Sequence, residues 1–182
     1  MKTLSRILLA VNFIMISTMC SNSPEAQKED IEINASLAES VRVTVAGTGI
    51  TMASALLDAT TNDEIANNSG NIVSYEVKQI KFAVLNYDAP TEDEIYFSGD
   101  IGFSSSMANQ PEYTCSISPL NVTHVAGTGD FGINPCNTLL TDLSTILLED
   151  NKMKLFMTGT YTKAQVSFDL RVTVIITVIA RH

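Results

Sequence analysis

Three cysteines hold most of the reactive chemistry in this chain, and their positions assign them different work: Cys20, Cys115 and Cys136. Cys20 ends a leader. Met1-Lys2-Thr3-Leu4-Ser5-Arg6 is a short basic start, and Ile7 to Ile16 is apolar except for Asn12. Ser17-Thr18-Met19-Cys20 then closes the run. About ten apolar residues are too few to span a bilayer, which takes ~20, so residues 1–19 read as a secretory signal peptide. A cysteine at the end of such a run resembles a bacterial lipobox, in which the thiol is acylated and becomes the mature N-terminus. Met19 stands where that motif usually carries a small residue. Lipidation at Cys20 is the expectation, with plain secretion after cleavage near Cys20 as the alternative. Residues 20–30 continue as a polar, acidic stretch without hydrophobic periodicity, which reads as a lipid-attached flexible tether.

Cys115 and Cys136 form an even pair beyond the leader. In an exported chain the compartment is oxidising, so a disulfide between them is expected, stabilising the fold by about 3 kcal/mol through loop closure. The competing chemistry is a Cys thiolate with His124 as its base. It needs a free thiol outside the cytosol, and Asn121-Val122-Thr123-His124-Val125 reads as an ordinary strand. Gly127-Thr128-Gly129-Asp130-Phe131-Gly132 matches the letters of a dinucleotide loop. Ile133-Asn134-Pro135-Cys136 separates it from the next helical pattern, however, so a glycine loop joining strand to helix is the simpler reading. The acidic run Asp88-Ala89-Pro90-Thr91-Glu92-Asp93-Glu94 lacks the ligand spacing and central Gly of an EF-hand and reads as a solvated turn. Two His and no Trp leave little for acid–base, metal or sugar-stacking work, and Tyr75, Tyr87, Tyr96, Tyr113 and Tyr161 are dispersed. Tyr87, Tyr96 and Tyr113 are the candidates for exposed contacts. No catalytic residue, metal ligand or cofactor is assigned.

The elements that must position these residues are mostly strands. Val166, Phe168, Leu170, Val172, Val174, Ile176 and Val178 alternate with a second set from Ser167 to Ile179, giving period two over a long stretch. Lys152 to Thr158 reads as another strand, and the two are expected to form an antiparallel hairpin through Gly159–Ala164. Ile95, Phe97, Gly99, Ile101 and Phe103 alternate likewise. Ile72 to Leu85 is strand-like with a change of phase near Lys78-Gln79, which implies a β-bulge or bend. Asn86 to Asp93 reads as a turn. Val41, Val43 and Val45 give a short strand, and Ile50 to Leu57 another. Thr61 to Asn67 suggests one helical turn. Asn137 to Asp150 carries Leu139, Leu140, Leu143, Ile146 and Leu147 at helical spacing, with Asn137 or Thr138 available as cap. Many strands and one amphipathic helix, about 137–150, predict a mainly β fold: an immunoglobulin-like antiparallel β-sandwich.

Composition bounds the function. With 45% hydrophobic and 17% charged residues among 182, the chain is too apolar and too sparsely charged to be disordered, and residues 31–182 suit one domain. A net charge of −9 argues against a nucleic-acid partner, which needs a basic face. Removing residues 1–19 takes away Lys2 and Arg6 but no acid, so the mature body is more acidic still and is repelled by anionic lipid headgroups. Its contact with a membrane then rests on the N-terminal lipid.

Three stretches resemble a family of small uncharacterised lipoproteins of flavobacteria and their relatives, of Bacteroidota type. The first is Leu57-Asp58-Ala59-Thr60-Thr61-Asn62-Asp63-Glu64-Ile65 leading into Ile80-Lys81-Phe82-Ala83-Val84-Leu85-Asn86-Tyr87. The second is Ile95-Tyr96-Phe97-Ser98-Gly99-Asp100-Ile101-Gly102-Phe103. The third runs from Leu147-Leu148-Glu149-Asp150-Asn151-Lys152 through Thr158-Gly159-Thr160 to Val166-Ser167-Phe168-Asp169-Leu170. The resemblance implies a lipid-anchored β-sandwich and supplies no catalytic residues. Together these readings describe a non-enzymatic protein of the cell outer membrane, facing the periplasm or the surface, with a structural, adhesion or binding role. Its expected partners are the membrane, through the lipid, and an envelope protein or an apolar ligand. A carrier of an apolar ligand is the second reading, and a secreted hydrolase the third.

Overall fold

A computed structural model describes residues 29–45, 51–89, 94–162 and 166–182. The leader, Cys20 and most of the tether lie outside the described residues, as does most of the acidic run after Asp88.

The described residues build seven strands: β1 (Asp30–Val45), β2 (Thr51–Asp58), β3 (Ile72–Asp88), β4 (Tyr96–Ser104), β5 (Tyr113–Asn121), β6 (Lys152–Tyr161) and β7 (Val166–Arg181). They form two sheets, of order β1-β7-β3 and β2-β6-β4-β5, with every pairing antiparallel. Three helices interrupt them: α1 (Asp63–Asn68), α2 (Val122–Val125) and α3 (Leu140–Asp150). The expected β-sandwich is therefore what forms. Its core lies between the sheets, where Phe82, Phe97, Phe103 and Phe168 are fully buried with Leu57, Ile80, Ile101 and Met153.

The winding follows a simple rule. The first strand pairs with the last, the second with the next to last, and β4 with β5. That is an antiparallel strip rolled into two layers, as in a jelly roll. Among the described residues β3 and β1 are the two edges of the three-stranded sheet. In a constant-type immunoglobulin sandwich the first two strands share a sheet; here β1 and β2 lie in opposite sheets, so the likeness to immunoglobulin stops at the sandwich architecture.

Three local expectations change. β6 and β7 do not form a hairpin: β6 lies between β2 and β4, and β7 between β1 and β3. Both are central strands, each hydrogen-bonded on two sides. The strand expected over Asn121–Val125 stops at Asn121, whose side chain accepts from the His124 amide and caps the short helix α2 over Val122–Val125. Nor does α3 start on a side-chain cap at Asn137 or Thr138. A 3-10 turn over Asn134–Leu139 leads into it, and the α-helical hydrogen bonding begins at Leu140.

β1 is far longer than the short strand expected at Val41–Val45. Ile33, Ala35, Leu37, Val41, Val43 and Val45 all face the core, and one acidic residue, Glu39, occupies an inward position among them. The expected bulge is present, with the register of β3 on β7 slipping between Val77 and Gln79. Another of the three slips in this pairing, between Leu85 and Asp88, accompanies the left-handed backbone of Asn86 at φ 49°. β3 thus runs on to Asp88, past the turn expected at Asn86.

Candidate functional site

The disulfide expected from the sequence is present: Cys115 and Cys136 are bonded, with Cα atoms 5.0 Å apart and a sequence separation of 21. Cys115 stands on β5 opposite Ile101 of β4, and Cys136 lies in the 3-10 turn before α3. Both are buried. The bond fastens the edge of the four-stranded sheet to the root of the helix. It also takes both sulfurs out of thiolate chemistry, leaving His124, exposed on α2, without a cysteine nucleophile.

The glycine-rich segment joins α2 to that turn. Gly129 has φ 80°, a conformation that favours glycine. Two residues later Phe131 bridges to Phe82 on the outer edge of β3, with backbone hydrogen bonds of 2.7 and 2.8 Å in the two directions. Asp130, between them, pairs with Arg171 at 3.0 Å. The loop therefore closes a sheet edge; its glycines precede no strand-to-helix phosphate cradle.

The outer face of the three-stranded sheet gathers the polar groups that the alternation of β7 directs away from the core. Asp169 accepts from the Asn86 side-chain Nδ2 at 2.5 Å and from Arg42 at 3.0 Å. The Asn86 hydrogen bond and then Arg42 hold its carboxyl below the usual aspartate range. Arg171 reaches across β3 to Asp130, and its Nε is buried without a hydrogen-bond partner. At the bulge, Asn34, Ser36, Lys78, Ile175 and Thr177 line a shallow groove of about 280 Å³. Thr177 is buried there and donates to Asn34 Oδ1 at 2.7 Å. Such a face offers hydrogen bonds beside the half-buried Ile175. Period two in β7 indicated this face, but the position of the bulge and the cross-strand partners were set by register, which the sequence does not spell out.

A second polar cluster forms at the end of α3. Asn151, at φ 63°, caps the helix through its amide to the Leu147 carbonyl, and its side chain accepts from the Tyr75 hydroxyl at 2.7 Å. Asp58 accepts from the Thr60 amide and hydroxyl at 2.9 and 2.6 Å and pairs with Lys152 at 3.2 Å. Burial pushes the Asp58 carboxyl up, but the Thr60 hydrogen bonds and Lys152 together bring it below its ordinary value. Burial first, then the Asp58 charge, lifts the Tyr75 hydroxyl to about 12, so it stays protonated and donating. The cluster ties β2, β3, α3 and β6 at one corner.

Tyr87, Tyr96 and Tyr113 are half-buried. Tyr87 shares a hydrogen bond of 2.9 Å with Thr123, and Tyr96 donates to Glu94 at 2.6 Å, so two of the three serve local ties. Among the described residues no three His, Cys, Asp or Glu side chains come together as a metal-ligand set. None of the described helices is long and apolar enough to cross a membrane.

The fold and these contacts define a disulfide-stapled antiparallel β-sandwich whose outer sheet face is polar and ion-paired. No family model matches the chain, and no curated protein does. Among solved structures, one titled Desmodium yellow mottle tymovirus is similar over 88% of this chain and 94% of that one, with 13% identity and a TM-score of 0.33.

Proposed function

We propose that the chain is an exported, lipid-anchored, non-enzymatic β-sandwich with a structural, adhesion or binding role at the cell envelope. The observation that carries the reading is the buried Cys115–Cys136 bond, since a structural disulfide persists in an oxidising compartment. Export is what the leader predicts, and Cys20 is the residue that takes the lipid. The tether then places the sandwich at the end of a flexible arm, where its acidic surface keeps it off anionic headgroups. The outer face of β1-β7-β3 is the surface it offers to an envelope partner. The carrier reading draws no support from the helix, because Leu143, Ile146 and Leu147 of α3 are buried in the same core as the sheets.

Labelled fatty acid tests the anchor. Incorporation into the wild-type chain, and its loss in Cys20→Ala, is the expected result. Equal labelling of both, or of neither, rejects acylation at Cys20.

A further inference from the structure

We infer that the free edge of β1 is a latent pairing surface for a second copy of this chain, and that Glu39 holds it shut. β1 ends the order β1-β7-β3, and among the described residues no strand pairs with its outer edge. An open strand of 16 residues is a template for strand addition, and folded proteins block such edges with devices that include an inward-pointing charge. Glu39 fits that description. It sits opposite Val172, which is 1% exposed, between the buried Leu37 and Val41 on the same face. Its carboxylate cannot stay among those side chains and turns back to the strand's own backbone, accepting from the Ser40 amide at 2.8 Å.

That hydrogen bond identifies the guarded side. The Ser40 N–H is taken by a side chain and not by β7, so it points to the free edge, and by alternation the amides of Ser36, Ala38 and Arg42 point there too. An incoming strand would need the Ser40 donor and would have to bury the Glu39 carboxylate beside its own core-facing residues. The rest of β1 suits a copy of itself. Antiparallel pairing about Leu37 sets Glu32 opposite Arg42 of the second copy, twice by symmetry, on the outer face. The same register sets Glu39 opposite Ala35, on the core face, where a charge has no partner. Self-pairing is thus favoured by charge along the strand and vetoed at one residue.

The test uses the full-length gene, with the product purified as the cell accumulates it. Wild type is expected at the monomer mass by light scattering, and Glu39→Val at twice that mass, with the dimer fraction rising with concentration. Adding Ala38→Pro to Glu39→Val removes a donor on the free edge without touching the β7 ladder, and should return the monomer. Glu39→Thr, a smaller polar strand former, is read alongside in case the valine variant does not fold. It should also dimerise, and its dimer should also be lost with Ala38→Pro. A folded Glu39→Val or Glu39→Thr that stays monomeric overturns the inference, as does a dimer that survives the proline. A wild-type chain already dimeric through β1 overturns it as well.

Discussion

The two edges of the three-stranded sheet are protected by opposite means. Along β3 the edge is covered. The Val77 amide donates to the Ser144 hydroxyl of α3 at 2.9 Å, and that hydroxyl donates to the Leu140 carbonyl at 2.8 Å. Further along, Phe82 exchanges backbone hydrogen bonds with Phe131. The helix stands where a rolled strip would place the strand that pairs with β3, and it seals the edge with side chains where a strand would use its backbone. Along β1 no described strand pairs with the edge, and protection against pairing falls to the single charge of Glu39. A covered edge is built from many contacts and is robust to the loss of one; an edge guarded by charge is economical and turns on one residue.

The largest effects should come from removing the cover. Leu143 is fully buried on α3, so Leu143→Ala leaves a cavity between helix and sheets. A loss of about 2–5 kcal/mol is expected in denaturant unfolding. A loss below about 1 kcal/mol would mean that the helix is not part of the sandwich core. Next comes the staple at the helix root. Replacing Cys115 and Cys136 together by Ala should cost about 3 kcal/mol, and reductant should lower the unfolding midpoint of wild type but not of that variant. Mass analysis of the unreduced wild type should show two hydrogens fewer than after reduction; two free thiols would remove the staple from the description.

The asymmetry of the edges also explains what could be read in advance. The strands of the core announced themselves by period two, β7 above all, and the bulge near Lys78 showed as a change of phase. In the sequence β1 shows only its Val41–Val45 end, because Glu39 breaks the alternation at the position where the edge needs it broken; the local irregularity is a property of the tertiary structure. The hairpin expected between β6 and β7 failed for a related reason. Adjacent strands in sequence pair by default, but rolling the strip separates them into two layers, and no residue in Thr162–Ala164 records that choice. Among the candidate site residues, the cysteine pair was legible because Cys115 and Cys136 form an even pair, for which a single pairing exists. The contacts of Arg171 with Asp130 and of Thr177 with Asn34 were not, since each joins residues far apart in sequence through strand register.

A smaller effect separates the hydrogen bond at the covered edge from the packing behind it. Ser144→Ala keeps the helix and its apolar face but removes the acceptor for the Val77 amide. An amide left without a partner at a part-buried position should cost about 1–2 kcal/mol. Ser144→Thr, which keeps the hydroxyl, should recover much of it. Equal stability for Ser144→Ala and wild type would assign the seal to packing alone, and β3 would then resemble β1 in having backbone donors free for another strand.

The smallest expected effect lies at the foot of the helix and carries a sign that can be tested. Asp58 has a folded-state carboxyl below its ordinary value of 3.8, through Thr60 and Lys152 and against the pull of burial. A carboxylate depressed in the folded state adds stability that is fully present above its unfolded value and disappears as pH falls through the folded one. Asp58→Asn keeps an oxygen to accept from Thr60 and deletes the charge that Lys152 and the Tyr75 hydroxyl experience. The variant should therefore be less stable than wild type near neutral pH, by about 1 kcal/mol or less for a pair this open to solvent. That difference should shrink below about pH 4 as wild type loses its own charge. The Tyr75 hydroxyl should at the same time titrate nearer to an ordinary tyrosine, because one of the two causes that raise it is gone. A stability difference that stays constant from neutral pH into acid would show that Asn fails at the Thr60 cap, and the corner would then be held by hydrogen bonding without help from charge.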